Sequence, residues 1–545
     1  MRVTGLRLAL YGLLVLLIAI AAGCGGDDDG TGAGTAGGDT TQGAAGGRLV
    51  VNIAQAPATL DPAWGCGLYD IGFLQNFYVR LTQYGSKEGP EGTTEFDPGN
   101  IEPYFAESMD VSPDGRVYTF TLPAGATFPS GEPVDSEAVK YSLERSIEMA
   151  GCGGYFIYDG IYEPPLIKSI QTPDPTTVVI TLNVPNANFP QDLAQPAASI
   201  VDASVVEANG GIKAGEINEY MSSNVAGSGP FLLEEYEPNK RAVLKANPDF
   251  FGDPPASDEI IVNFINADPT LLLQARSGQA DVTLGMTKQS ANSLREDDCC
   301  TVIANENPTF WEIIGTPWKK KPWDNVKFRE AVTYAVPYED IIEKVAYGWA
   351  EPFYGPYAPG MNEYNAEIAA PREFDLEKAK SLIEESGVET PVDVTINIPE
   401  GNTIEEQIAT IVQGTWRELG INVNINKLAA TDYVNSMEQH EAQAFTRIDG
   451  PGVIEAGYLL GYDMKCEIPF NLSDICIPEA DELLDEARQE TDPARRQELF
   501  DEIARLWVEN SPRVQVYADQ FVSVLSKNVK SYHYQHEMDF RTWGK

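Results

Sequence analysis

The chain has few positive charges for its length. Its 545 residues contain 38 Lys and Arg against 82 Asp and Glu, which gives a formal net charge of −44 at pH 7. A field of this sign repels nucleic acid and other polyanions, so we expect no nucleic-acid partner. The charge keeps the protein soluble, and a preference for a cationic ligand is the alternative that it leaves open.

The sequence also lacks the signatures of common enzyme classes. There is no Gly-x-Ser-x-Gly, His-Glu-x-x-His, phosphate-loop or Rossmann glycine pattern. With only His440, His533 and His536 and no Cys-x-x-Cys, a Ser–His or Cys–His pair and a zinc site are poorly supplied. A carboxylate pair for glycoside hydrolysis stays open, because so many acidic residues produce pairs by coincidence. We therefore predict no catalytic residue, no metal and no cofactor.

The first 47 residues are predicted to precede the fold. Arg2 and Arg7 come before an apolar run, 8–22, that is short for a membrane span. The run ends at Ala21-Ala22-Gly23-Cys24, which is similar to a bacterial lipobox. This resemblance implies a signal peptide at 1–23 and a lipidated Cys24, with an ordinary cleaved signal and an incidental cysteine as the alternative. Residues 24–47 are mostly Gly, Ala, Thr and Asp and should form a flexible, lipid-anchored tether.

Export makes the six remaining cysteines candidates for disulfides. Cys466 and Cys476 are close enough in sequence to close one loop, and Cys66 and Cys152, both beside glycines, could pair across the fold. Cys299 and Cys300 are adjacent, and either a vicinal disulfide or two free thiols is consistent with that spacing.

Residues 101–147 are the most informative stretch. Ser112-Pro113-Asp114-Gly115 is a turn tetrad that predicts a hairpin. Large apolar residues then alternate as in a half-buried strand: Tyr118, Phe120 and Leu122. Asp135 can cap a following helix, whose apolar residues recur every four positions: Val139, Leu143 and Ile147.

Further short motifs occur in order along the chain. They are Leu60-Asp61-Pro62, Gly227-Ser228-Gly229-Pro230-Phe231, Asn247-Pro248-Asp249-Phe250-Phe251 and Ser277-Gly278-Gln279-Ala280-Asp281-Val282. Together with the 101–147 stretch, which ends near Leu-Glu-Arg, this order resembles the family 5 extracellular solute-binding proteins. These are the dipeptide-, oligopeptide- and nickel-type receptors of ABC importers. The resemblance covers about residues 48–530.

The clearest α/β pattern lies between residues 394 and 425. An alternating strand, a helix from Thr403 to Leu419 with one apolar face, and a second alternating strand predict a βαβ unit on a mainly parallel sheet. Elsewhere the spacing of apolar residues predicts helices over 72–84, 326–336, 375–387, 479–490 and 494–509, and strands over 177–182 and 514–517.

The family resemblance implies an α/β, two-lobed periplasmic-binding-protein-like fold (type II, cluster C-like). It would have mixed sheets, a hinge and an extra α+β domain. The implied boundaries are 48–95, 226–312 and 513–545 for lobe one, 96–225 for the extra domain and 313–512 for lobe two. Ligand would lie between the lobes, which close over it.

The resemblance also points to ligand-binding residues. In peptide-binding relatives an Asp-x-x-Asp-Pro stretch supplies a carboxylate for the ligand's α-ammonium, and Asp449 in Arg447-Ile448-Asp449-Gly450-Pro451-Gly452 matches its first Asp. An exposed loop acid is the alternative, and Gly452 and Val453 stand where Asp-Pro would be expected. Aromatic candidates for the cleft walls, each with core or surface packing as the alternative, are Phe310, Trp311, Trp318, Tyr354, Tyr357, Trp64 and Tyr69.

Three functions follow from these features. The first is a lipid-anchored receptor that captures a peptide-like solute and delivers it to a membrane ABC permease, with an oligosaccharide or a metal chelate as the next ligand classes. We expect it to be a monomer at the outer face of the cytoplasmic membrane or in the periplasm. The second is a secreted hydrolase with an unrecognised carboxylate pair, and the third is a receptor-like lipoprotein used in adhesion or signalling.

Overall fold

The computed structural model describes residues 47–158, 165–468, 470–534 and 538–545. The predicted signal peptide, Cys24 and all but the last residue of the predicted tether lie outside these ranges. Among the described residues, no helix is both long enough and apolar enough to cross a membrane. The strands of the described ranges form four β-sheets.

A seven-stranded sheet forms the centre of what we call lobe one. Its strands are β1 (Gly47–Ile53), β8 (Phe231–Glu237), β9 (Arg241–Ala246), β10 (Ser257–Phe264), β11 (Val282–Leu284), β12 (Cys300–Ala304) and β19 (Val522–Ser526). The order is β12-β19-β11-β1-β10-β9-β8, with β1 parallel to both β10 and β11. Helices of this part of the chain are α1 (Leu68–Leu74), α6 (Asp268–Arg276) and α7 (Lys288–Asn292).

A six-stranded sheet forms the centre of lobe two. Its strands are β13 (Phe310–Gly315), β14 (Ala350–Glu351), β15 (Val392–Pro399), β16 (Ile421–Leu428), β17 (Ala444–Asp449) and β18 (Val514–Asp519), in the order β14-β18-β13-β17-β15-β16. Its helices are α8 (Val326–Tyr334), α9 (Tyr338–Lys344), α10 (Leu376–Ser386), α11 (Thr403–Arg417), α12 (Ala430–Glu438), α13 (Ala456–Asp463), α14 (Pro478–Gln489) and α15 (Pro493–Asn510). Because β13 starts before residue 313 and β18 lies after residue 512, the predicted range 313–512 omits part of this sheet.

The predicted βαβ unit is confirmed. β15 and β16 are parallel, with Val394 opposite Val423, and α11 connects them. The Asn402 side chain caps α11, and the helix buries Ile408, Val412 and Trp416 against the sheet. The predicted helices over 326–336, 375–387, 479–490 and 494–509 are present, with ends that differ by at most two residues.

The predicted helix over 72–84 is wrong. Helix α1 ends at Leu74, and residues 82–88 form strand β2. The Asn76 side chain donates to the backbone oxygens of Gly72 and Met538, at 2.9 and 2.8 Å. If the helix continued past Leu74, the Asn76 side chain and these oxygens would need other hydrogen-bond partners. Residues 70–82 are buried without interruption, so the spacing of Phe73, Phe77 and Leu81 did not mark one apolar face.

The four-stranded sheet lies within the predicted extra domain. Its strands are β4 (Ser108–Val111), β5 (Val117–Thr121), β6 (Ile167–Asp174) and β7 (Thr177–Leu182), and its helices are α2 (Ser136–Met149), α3 (Cys152–Tyr158), α4 (Phe189–Ala194) and α5 (Ala203–Ala208). The predicted β4–β5 hairpin turns at Gly115, whose φ is +66°. As predicted, the Asp135 carboxylate caps α2 by accepting from the backbone N–H groups of Glu137 and Ala138, both at 3.1 Å.

A small three-stranded sheet completes the set. It consists of β2 (Thr82–Glu88), β3 (Thr94–Pro103) and β20 (His533–Tyr534), and so lies across the predicted boundary at residue 95.

A buried ion pair joins lobe one to the extra domain. Arg145 of α2 donates two hydrogen bonds to Asp61, at 2.9 and 2.7 Å, and the two side chains are 1% and 0% exposed. These residues belong to the Leu-Asp-Pro and Leu-Glu-Arg motifs, which therefore meet in space. The predicted Cys66–Cys152 disulfide is confirmed and crosses the same junction. The Cys466–Cys476 disulfide is confirmed as well, whereas Cys299 and Cys300 are free thiols.

Candidate ligand-binding site

Two neighbouring segments connect the two large sheets. The chain passes from β12 to β13 through residues 305–309 and returns from β18 to β19 through residues 520–521. The two crossings are hydrogen-bonded to each other, since Asn305 N–H donates to Phe521 O at 3.2 Å and Phe521 N–H donates to Asn305 Oδ1 at 2.5 Å. A pair of adjacent connections of this kind can act as a hinge between lobes.

The hinge joins the carboxyl-terminal edges of both sheets. In lobe one, β19 starts beside the end of β11, where Leu284 pairs with Ser523. In lobe two, β13 starts beside the end of β17, where Trp311 pairs with Asp449. Ligands of α/β proteins bind outside the carboxyl ends of parallel strands. The space between these two edges is therefore the candidate ligand site.

Asp449 is the last residue of β17 and lies at the lobe-two edge. Its Oδ1 accepts from Arg447 Nη2 at 2.5 Å and from the Gly450 N–H at 3.1 Å. Its Oδ2 lies 3.2 Å from Arg513 Nη1 but has no hydrogen-bond donor among the described residues. The carboxylate is 5% exposed, so the alternative of an exposed loop acid is wrong.

The charges around Asp449 keep it ionised. Burial alone would raise the pKa of Asp449, but the guanidiniums of Arg447 and Arg513 outweigh burial and hold that pKa below its ordinary value. Arg513 also donates to Asp463 Oδ1 at 2.9 Å. Two arginines and two aspartates therefore balance each other in a largely buried cluster, in which Asp449 Oδ2 accepts no hydrogen bond from the described residues.

Two predicted aromatic residues lie beside Asp449. Trp311, opposite Asp449 in the sheet, is fully buried against Phe353, and its indole N–H has no acceptor among the described residues. The Phe310 ring covers Gly450, where an added Cβ would lie 2.3 Å from Phe310 Cδ1. The structure therefore brings Phe310, Trp311 and Asp449 together at one edge.

Three other predicted residues of lobe two pack in its interior, away from this edge. The Trp318 indole N–H donates to Pro512 O at 2.9 Å, beyond the opposite end of β18. Tyr354 is buried with the Arg372 guanidinium 4.3 Å from its ring, and Tyr357 donates to Phe500 O at 3.0 Å. These contacts favour the packing alternative for all three.

The two predicted residues of lobe one differ from each other. Tyr69 lies at the carboxyl edge of the sheet, since its hydroxyl would be 2.4 Å from a Cβ on Gly285, the residue after β11. Burial raises the pKa of Tyr69 to about 12, so the hydroxyl stays protonated. Trp64 instead packs on Gly151 beside the Cys66–Cys152 disulfide, as the packing alternative expects.

A cavity of about 480 Å³ opens at the carboxyl ends of β1 and β10. The described residues that line it are uncharged and include Gln55, Ser222, Tyr236 and Asn266. The sequence does not predict this cavity, because its lining comes from four separate segments of the chain. Among the described residues, no group of three or more His, Cys, Asp and Glu is placed to hold a metal ion.

Arg447 and Arg513 of the site were not predicted from the sequence, and neither was Glu312, which lies in strand β13 beside the site but is not part of it. Glu312 is 5% exposed and interrupts the apolar run of β13, Phe310-Trp311-Glu312-Ile313-Ile314. A charge inside a strand that is otherwise buried was the signal that could have identified it.

Comparison with known proteins gives consistent matches. The family model of "Bacterial extracellular solute-binding proteins, family 5 Middle" matches residues 100–467. The probable D,D-dipeptide-binding periplasmic protein DdpA of Escherichia coli is 26% identical over 489 residues, which cover 89% of this chain and 91% of the relative. Di/tripeptide-binding protein 2 of Pseudomonas aeruginosa is 28% identical over 463 residues, covering 80% and 85%. The structure of the periplasmic binding protein DppA of Helicobacter pylori with the peptide STSA superposes with a TM-score of 0.76 at 25% identity, covering 91% and 97%.

Proposed function

The chain belongs to the bacterial extracellular solute-binding proteins of family 5, and we propose that it captures a short peptide between its two lobes for an ABC importer. The predicted two-lobed α/β fold is confirmed. The observation that carries the proposal is the meeting of two sheet edges at a double-stranded hinge, with Asp449 and two aromatic rings at the lobe-two edge. The relatives named for dipeptides and tripeptides support the ligand class.

Asp449 is the proposed anchor for the α-ammonium of the peptide. Its Oδ2 lacks a donor, and a buried carboxylate forms a strong charge-assisted hydrogen bond with an ammonium group. The guanidiniums of Arg447 and Arg513 lower the pKa of Asp449 and so keep its carboxylate charged. The uncharged cavity in lobe one would receive an uncharged part of the same ligand.

Calorimetry with matched ligands tests this anchor. We expect Asp449→Asn to weaken binding of a free dipeptide such as Met-Leu by about 10- to 100-fold, the value of a hydrogen bond to a charged group. On the unchanged protein, N-acetyl-Met-Leu should bind more weakly than Met-Leu by the same factor. Its affinity should not fall further on Asp449→Asn.

Asp432→Asn, which removes an exposed carboxylate from the first turn of α12, is the control and should bind both ligands as the unchanged protein does. Equal affinity of the unchanged protein for the free and the acetylated peptide would remove the anchor role from Asp449.

The cellular setting belongs to the same proposal. A lipid on Cys24 would hold the receptor at the outer face of the cytoplasmic membrane, and a monomer would present its two lobes to the permease subunits. The receptor performs no chemistry on its ligand and needs no cofactor. Labelling with a radioactive fatty acid, lost on Cys24→Ala, tests the anchor.

A further inference from the structure

A pair of buried carboxylic acids lies in lobe two and has no part in the site described so far. Glu312 is on β13 and Glu405 is in the first turn of α11, and they are 5% and 1% exposed. Glu405 accepts hydrogen bonds from Thr446 Oγ1 at 2.6 Å and from Asn402 Nδ2 at 3.0 Å. Glu312 Oε2, by contrast, has no hydrogen-bond donor among the described residues. A buried oxygen of this kind is costly unless a partner arrives.

The cations around this pair are bound to other groups. Among the described residues, neither Glu312 nor Glu405 forms an ion pair with Lys or Arg. The cations whose charges act on the pair are bound elsewhere: Arg447 pairs with Asp449, and Lys288 of lobe one pairs with Asp519 and donates to Trp349 O at 2.5 Å.

The pair therefore holds at least one proton at neutral pH. Burial raises the pKa of Glu405 to about 8, against smaller opposing effects of Thr446 and Arg447. Burial raises the pKa of Glu312 above its ordinary value, and the negative charges of Glu405 and Asp519 raise it further. The positive charge of Lys288 lowers this pKa but does not offset the increase. The tyrosines that face the pair, Tyr433 of α12 and Tyr517 of β18, have raised pKa values through burial and stay neutral.

The pair lies next to the candidate ligand site. Glu312 pairs with Ile448 across the sheet, one position from the Trp311–Asp449 pair. Side chains of successive strand residues point to opposite faces, so Glu312 and Asp449 lie on the two faces of the same edge. Glu405 follows the carboxyl end of β15, which runs parallel to β17 and so ends at the same edge.

We propose that Glu312 and Glu405 form a second anionic subsite, which receives a basic side chain of the bound peptide and releases a proton when it does so. The proposal rests on the peptide-binding function proposed above. In this step the ammonium or guanidinium group of a ligand Lys or Arg donates to Glu312 Oε2, and the proton held by the pair leaves to solvent. Affinity for a basic peptide then rises with pH up to the ionisation of the pair.

Dipeptides that differ only in one ammonium group test the subsite. Lys-Leu and Leu-Lys are compared with norleucine-Leu and Leu-norleucine, which keep the chain length and the α-ammonium. Titration calorimetry at pH 6, 7 and 8, in buffers of different ionisation enthalpy, gives the affinity and the number of protons released. The norleucine peptides correct for titration of the shared α-ammonium, whose pKa is about 8.

We expect at least one lysine peptide to bind about tenfold or more tightly than its norleucine partner at pH 8. That preference should shrink by up to about tenfold per pH unit on going to pH 6, since one proton is linked to binding. Glu312→Gln should abolish both the preference and the proton release while leaving the norleucine affinity unchanged. Glu438→Gln, which removes a half-buried carboxylate at the end of α12, is the control and should keep both.

Equal affinity for lysine and norleucine peptides, or a lysine preference that survives Glu312→Gln, would overturn the subsite and leave the peptide receptor intact. Failure of all four peptides to bind at any pH would overturn both proposals.

Discussion

Replacement of Arg145 by Met should destabilise the junction between lobe one and the extra domain. Methionine keeps much of the side-chain volume but removes the guanidinium. Asp61 is then left 0% exposed, with the Ala63 N–H at 3.0 Å as a remaining donor to its carboxylate. Removing one partner of a buried ion pair leaves an uncompensated charge and costs about 3 to 5 kcal/mol.

Urea denaturation followed by circular dichroism measures this cost. With an m value of about 3 kcal/mol per molar urea, a loss of 4 kcal/mol lowers the midpoint of the first transition by about 1.3 M. Lys344→Met is the matched control, because it breaks a pair with Asp340 at a similar distance, 2.7 Å, but with both side chains more than half exposed. An exposed pair of this kind contributes about 0 to 1 kcal/mol.

The replacement of both partners separates charge burial from packing. Asp61→Leu combined with Arg145→Met leaves no buried charge, so the double variant should be more stable than Arg145→Met alone. Equal midpoints for Arg145→Met and Lys344→Met would refute the argument that the buried Asp61–Arg145 pair stabilises the junction between the two parts.

Three further predictions concern the disulfides, the site and the helix α11. Loss of the Cys66–Cys152 bridge, which spans 86 residues, should cost about 4.6 kcal/mol in chain entropy, whereas loss of the Cys466–Cys476 bridge, which spans 10 residues, should cost about 2.7 kcal/mol. Urea unfolding of the paired Cys→Ala variants measures these costs, and equal costs would contradict the prediction. Gly450→Ala should displace the Phe310 ring from the site edge and weaken Met-Leu binding. Gly414→Ala, in open space within α11, is the control, which should leave binding unchanged and add about 0.5 to 1 kcal/mol of stability. Because the pKa of Asp449 is lowered, its charge is lost only as pH falls through that low value, and Met-Leu affinity should therefore stay constant from pH 7 to pH 5. Calorimetry that shows weaker binding already at pH 5 would contradict an ionised anchor.

Local patterns predicted much of the fold. The βαβ unit around α11 was predictable because its strands alternate, its helix has one apolar face, and Gly420, with φ of +78°, separates the helix from the second strand. The segment after α1 was not predictable in this way. Every residue from 70 to 82 is buried, and burial on all sides removes the periodicity that distinguishes a helix from a strand.

The candidate site was predictable only in part. Asp449 was predicted from a resemblance to the first Asp of a stretch in peptide-binding relatives, but the two arginines that neutralise it are far apart in sequence, one in β17 and one just before β18. Trp318, Tyr354 and Tyr357 have the composition of a cleft wall, and only their contacts show that they pack in the interior. Glu312 and Glu405 are 93 positions apart in sequence, so no local pattern joins them.

Native mass spectrometry with a defined peptide library shows whether this protein is a peptide receptor. The unchanged protein is mixed with an equimolar library of peptides of two to six residues, and the masses of bound complexes are recorded. We expect one-to-one complexes with a subset of these peptides, and we expect these complexes to be lost when the library is N-acetylated. The absence of any peptide complex with the unchanged protein would contradict a peptide receptor.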